Sequence, residues 1–222
     1  MATATVASSP ALEADRRIVL HHVSWETYER LLADDEERRV PRLTYDRGVL
    51  EIVSPSAEHE KDGHLVMVLV EIVAAFSSTR ILNVGSTTYR RQDLARGFEA
   101  DASFYIQHEP SVRDREHIDL DVDPPPDLVI ETEVSRSAVD KLALFAQMGV
   151  PEVWRSSGRA VTILVLDGGS YRDADTSAAL PMLTRHIVNG FLADGVTRPR
   201  HEWIVGLSEW ARTAQRPSAA AG

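Results

Sequence analysis

The chain has 222 residues, 43% of them hydrophobic, enough for one sizeable core without requiring a second domain. It contains no cysteine, which excludes a disulfide framework, a thiolate metal site and a thiol nucleophile, and agrees with a reducing cytoplasm. With 24 basic against 34 acidic side chains the formal charge is −10, which opposes tight nonspecific binding to a phosphate polymer unless basic groups cluster locally, as at Tyr89-Arg90-Arg91.

The opening stretch to Pro10 is small and polar, with no basic start leading into an apolar core, so a signal peptide or membrane anchor is not expected. We expect a disordered tail over 1–17, one folded domain over 18–213 and a second disordered tail over 214–222. No apolar run reaches the roughly 20 residues that cross a bilayer, and the longest, near 65–76, carries Glu71.

Residues 24–32 start with a capping serine and an early acid, which predicts a short helix with Trp25 and Tyr28 as packing residues. The runs 43–45 and 49–53 flank Asp46-Arg47-Gly48, a hairpin turn signal, and Ser54-Pro55 ends the second run. From 56 to 78 the spacing of Leu65, Leu69, Ile72, Val73 and Phe76 predicts the longest helix. Strands are predicted over 80–89 and 98–106, followed by an acidic, irregular segment over 108–123. After Pro124-Pro-Pro126 come a strand over 127–134, a helix over 137–148 and strands at 152–154 and 161–166, an order that implies a crossover with parallel pairing. Asp167-Gly168-Gly169 predicts a further hairpin turn, and 207–212 a terminal helix. Trp203 and Trp210 are read as exposed aromatics that would support a homodimer.

The chemistry-bearing pattern lies between Asp101 and Lys141. Side chains alternate along a strand, so Glu99, Asp101, Ser103 and Tyr105 would share the more polar face of 98–106. In the second strand Glu131 and Glu133 share a face, and pairing of the two strands would set Asp101 beside Glu131. Two carboxylates and an adjacent backbone carbonyl form a partial oxygen shell for Mg²⁺, which activates water and stabilises charge on a phosphate. Lys141, early in the next helix, has a stem able to lie along the core and an ammonium that reaches back toward Glu131. Glu133 is a candidate base. An exposed strand end in an ordinary salt bridge with Lys141 explains the same spacing, and a lone strand aspartate is often structural. No glycine-rich phosphate loop, Gly-x-Ser-x-Gly elbow or zincin histidine pair is present.

Several segments in order, Leu50-Glu-Ile-Val-Ser-Pro55, His59-Glu60, Glu99-Ala-Asp-Ala-Ser-Phe-Tyr-Ile106, Pro125-Pro-Asp-Leu-Val-Ile-Glu131, Ser137-Ala-Val-Asp-Lys-Leu142 and Gly149-Val-Pro-Glu-Val-Trp-Arg155, resemble a bacterial family of restriction-endonuclease-like proteins within the PD-(D/E)XK nuclease superfamily. The resemblance spans about Ser24 to Trp210. It implies an α/β protein of restriction-endonuclease-like fold, with a mixed central β-sheet flanked by helices. It also implies Asp101 and Glu131 as metal ligands, with Lys141 as a lysine displaced onto the helix. Glu133 stands where the strand lysine is expected, and Glu60 is a first-helix acid near the metal, although a solvated stripe of Glu60, His64 and Glu71 accounts for it as well. The expected function is endonucleolytic hydrolysis of DNA with Mg²⁺ or Mn²⁺. The rival is an inactive nuclease-fold binding or scaffold protein, which the acidic net charge favours.

Overall fold

Two sheets and six helices make up the computed structural model over its described residues, 15–34, 41–132, 137–157 and 160–214. The first sheet is antiparallel and consists of β1 (Arg16–Leu20), β2 (Arg42–Asp46), β3 (Val49–Ser54), β5 (Thr88–Arg91) and β6 (Arg96–Glu99), in the order β1-β3-β2-β6-β5. Its β2–β3 turn is the expected hairpin, with Arg47 at φ 46° and Gly48 at φ 93°, the left-handed pair that matches the strands' twist. The second sheet is mixed and contains β4 (Leu82–Asn83), β7 (Ala102–Tyr105), β8 (Leu128–Thr132), β9 (Glu152–Ser157), β10 (Ala160–Asp167) and β11 (Ser170–Ala174), in the order β11-β10-β9-β8-β7-β4. The helices are α1 (Trp25–Asp34), α2 (Ala57–Phe76), α3 (Glu109–Val112), α4 (Lys141–Gln147), α5 (Arg185–Thr197) and α6 (Arg200–Ala214).

β8 and β9 pair in parallel across α4, the crossover that the strand, helix, strand order implies. β8 is buried along its whole length, which is why it reads as a continuous apolar run ending in an acid. Its Leu128 and Ile130 pack with α2, α5 and α6 in the larger core, while Val129 joins Leu144 and Phe145 of α4 in a second core. α2 starts where expected. Ser56 caps it by accepting from the His59 N–H at 3.2 Å.

Several expectations change, among them the strand over 80–89, which is two short strands, β4 and β5, in different sheets. The strand over 98–106 breaks at Ala100-Asp101: β6 stays with β2, while β7 crosses to β8 in the other sheet. The break reverses the faces, so Phe98 and Ala100 pack in one core and Ala102 and Phe104 in the other, and the alternation drawn through Asp101 fails. The domain boundary at 18 falls inside β1, because Arg16–Leu20 pairs along its length with β3. The C-terminal region holds two helices rather than one. Gly195 lets them close on α2, since a Cβ there would lie 2.9 Å from Leu65 and 3.0 Å from Trp203. Finally, Trp203 is 2% exposed and donates its indole N–H to the Phe191 carbonyl at 2.7 Å, and Trp210 packs on Phe191. These tryptophans stabilise the core, which removes the argument for a homodimer.

Candidate active site

Asp101 sits at the step between the sheets. β7 and β8 are antiparallel with Ala102 opposite Ile130, so Asp101 and Glu131 occupy the next facing positions beyond that pair. The Thr132 N–H donates to Asp101 Oδ2 at 2.5 Å and ties the two strand ends together. The expected meeting of Asp101 and Glu131 therefore holds, although by sheet switching rather than by regular alternation.

Lys141 is the first residue of α4, directly after Asp140, whose carboxylate caps the helix by accepting from the Ala143 N–H at 3.1 Å. The cap fixes the helix start, and the Lys141 ammonium donates to Glu131 Oε1. Glu131 Oε2 is buried and has no hydrogen-bond partner among the described residues. Burial pushes the Glu131 carboxyl up to about 7; the Lys141 charge opposes this and the Asp101 charge adds to it. Burial pulls the Lys141 ammonium down, but the charges of Glu131 and Asp101 outweigh it and the net shift is upward.

On the other side of Asp101, Arg42 donates from Nη1 to Oδ1 and from Nη2 to Glu60 Oε1 at 2.8 Å. His59 bridges two acids, with Nε2 at 2.9 Å from Asp101 Oδ2 and Nδ1 at 3.0 Å from Asp15 Oδ2. Ionised carboxylates only accept, so the ring donates toward these acids, and Arg42 Nη1 lies 3.3 Å from the same Nε2. Burial lowers the His59 pKa, but the hydrogen bonds and charges of Asp101 and Asp15 outweigh it and raise it. Burial likewise raises the Asp101 carboxyl, yet the His59 hydrogen bond and the charges of Arg42, His59 and Lys141 bring it below the usual range.

These groups line a cavity of about 240 Å³ that Arg17 and Arg155 also border. The protein's overall charge is acidic, but this wall is rich in cations. Behind this wall the buried Glu51 of β3 accepts from Arg17 Nη1 at 2.5 Å, the Ser137 hydroxyl at 2.9 Å and the Ala138 N–H at 2.6 Å, which holds the approach to α4.

Of the sequence-predicted residues, Asp101, Glu131 and Lys141 come together, and Glu133 lies outside the described residues. Glu60 reaches the site only through Arg42, while Glu71 turns away to accept from Asn83. Sequence reasoning missed Asp15, Arg42 and Glu51. Glu51 carried a usable signal, an acid inside the apolar run Leu50-Glu51-Ile52, whereas nothing local marks Arg42 or Asp15. Among the described residues no group of three or more His, Asp or Glu side chains gathers to hold a metal ion. The pair Asp101 and Glu131, with one buried oxygen unpartnered, suits a hard divalent cation that relies on water and substrate for its other ligands.

The chain matches the family model Uma2, described as "Putative restriction endonuclease", over residues 25–194. Its fold is similar to that of a solved structure described as "a putative nuclease belonging to DUF820" from Anabaena variabilis ATCC 29413. That match has 12% identity and a TM-score of 0.52, and covers 77% of this chain and 99% of the other. No curated protein matches.

Proposed function

We propose that this chain, which belongs to the Uma2 family, hydrolyses phosphodiester bonds in DNA at the Asp101 and Glu131 cluster with Mg²⁺ or Mn²⁺. Family membership and the nuclease fold support a nuclease; DNA as substrate and dependence on a metal are our reading. The observation that carries it is the buried Glu131 Oε2, without a partner among the described residues, held opposite Asp101 at the end of paired strands and in the wall of a cavity that four Arg and Lys side chains also line. A buried carboxylate oxygen without a partner carries a desolvation cost that a bound cation relieves.

In this reading Asp101 and Glu131 hold the ion, which supplies an activated water and neutralises charge building on the phosphate. Lys141, already aligned on Glu131, orients the water or binds a phosphate oxygen. Glu133 is a secondary group that accepts the water's proton. Arg17, Arg42 and Arg155 give the cavity wall the charge that the protein as a whole lacks. The net charge of −10 favours the second reading, a nuclease-fold protein that binds without cutting.

Nicking of supercoiled plasmid in Mg²⁺ or Mn²⁺ decides between them. The wild type should cut, and folded Asp101→Asn and Glu131→Gln variants should each lose about 100-fold or more of that activity. Activity that survives in either variant would move the chemistry elsewhere, and an inert wild type would favour the binding protein.

A further inference from the structure

The carboxylates of Asp101 and Glu131 meet three cationic groups: Arg42 on Asp101 Oδ1, His59 on Asp101 Oδ2 and Lys141 on Glu131 Oε1. A divalent cation brought against these acids would stand among these like charges, whose repulsion grows once water is excluded. One of the three has to yield, and the contacts differ in how firmly each is held.

His59 is anchored from behind. Its far nitrogen is bound to Asp15, whose other oxygen accepts from the Ser56 N–H at 2.7 Å, and the residue itself lies in the first turn of α2. Lys141 is the first residue of a helix capped by Asp140, and its approach is tied down by Glu51. Arg42 is held differently: one arm of its guanidinium lies on Asp101 and the other on Glu60, whose side chain is 52% exposed. It has an alternative acid in the half-exposed Glu60, and it takes up one oxygen of the carboxylate that a metal would use.

Building on the nuclease reading, we propose that Arg42 and the divalent cation compete for Asp101 Oδ1, so that Arg42 sets the metal affinity and swings toward Glu60 and the cavity mouth when the ion binds. Arg42 is then a positioning residue rather than a metal ligand. Released, its planar guanidinium stands at the wall where a substrate phosphate enters, and it can bind that phosphate with two parallel hydrogen bonds.

The test is direct binding of Mn²⁺ to chelator-treated protein, followed by the electron paramagnetic resonance signal of the free ion, without any substrate. Arg42→Gln, which removes the competing charge, should bind Mn²⁺ at least about tenfold more tightly than the wild type. Arg42→Lys keeps the charge but cannot span Asp101 and Glu60 together, so it should fall between the two. That variant also carries the test should Arg42→Gln fail to fold. Long-range repulsion alone would leave Arg42→Lys equal to the wild type. Equal affinities in wild type and Arg42→Lys, or in wild type and Arg42→Gln, overturn the competition while leaving metal binding intact. Absence of Mn²⁺ binding in every form, with circular dichroism unchanged, overturns the metal site as well.

Discussion

Glu51 on β3 and Glu131 on β8 are both acids buried in apolar strands, and the difference between them separates a structural carboxylate from a reactive one. Glu51 is fully enclosed, and its two oxygens accept from Arg17, the Ser137 hydroxyl and the Ala138 N–H. Glu131 has one oxygen on Lys141 and the other without a partner among the described residues, and burial pushes its carboxyl up to about 7. Burial of an acid is therefore no mark of function in this protein. Glu152 makes the same point, enclosed and accepting from the Trp154 indole and from the Ala178 and Ala179 N–H groups. What sets Glu131 apart from these two is an oxygen with no partner among the described residues, a state it shares with Glu109, together with its place facing Asp101 in the cavity wall.

The sharpest way to break the comparison is Glu51→Ala. It removes the ion pair with Arg17 and leaves the Ser137 hydroxyl and the Ala138 N–H without their acceptor, so urea unfolding should show a loss of about 3–5 kcal/mol. The double change Glu131→Gln with Lys141→Met removes a buried pair whose geometry satisfies only one carboxylate oxygen. Its stability should be unchanged or higher, by up to about 4 kcal/mol, while plasmid cleavage disappears. If this double variant were instead as damaged as Glu51→Ala, the two acids would be structural equals.

The smallest effect concerns the second anchor of Asp101. Burial raises the Asp15 carboxyl, but the Ser56 N–H and the His59 hydrogen bond and charge outweigh it and leave it below 3.8. An acid with a depressed folded pKa contributes stability that is present above the unfolded value and is lost as pH falls through the folded one. Asp15→Asn should therefore melt below the wild type at neutral pH, and the gap should close as pH drops below 3.8, a trend that melting curves across the acid range would resolve. A gap of constant size would assign the role of Asp15 to shape alone.

The parts of the site legible in the sequence are those carried on continuous elements. Glu131 could be read because a strand signal surrounds it, and Lys141 because it starts the next helix, with one crossover joining the two. Asp101 was found for a reason the structure amends. Its position facing Glu131 is real, but it lies at a break between strands of different sheets, so the polar face drawn through Glu99, Asp101 and Ser103 does not exist. Trp203 and Trp210 were misplaced for a related reason: α5 carries Gly190 and Gly195, which weaken its helical signal, and without α5 the apolar face of α6 had nothing to pack against.

From the sequence alone followed the β2–β3 hairpin with its left-handed turn, the start of α2 near Ser56, the buried strand β8 and the parallel crossover to β9. Each of these is written by residues a few positions apart, within the range over which dihedral preference, capping and side-chain period act. Only the tertiary structure decided that the chain changes sheets at Asp101, that Arg42 and His59 flank that carboxylate, and that Asp15 holds His59 while Glu51 holds the segment before α4. Those contacts join residues 31 to 87 positions apart. They follow from which strands pair and in what register, and that is determined by burying two cores at once rather than by any local preference.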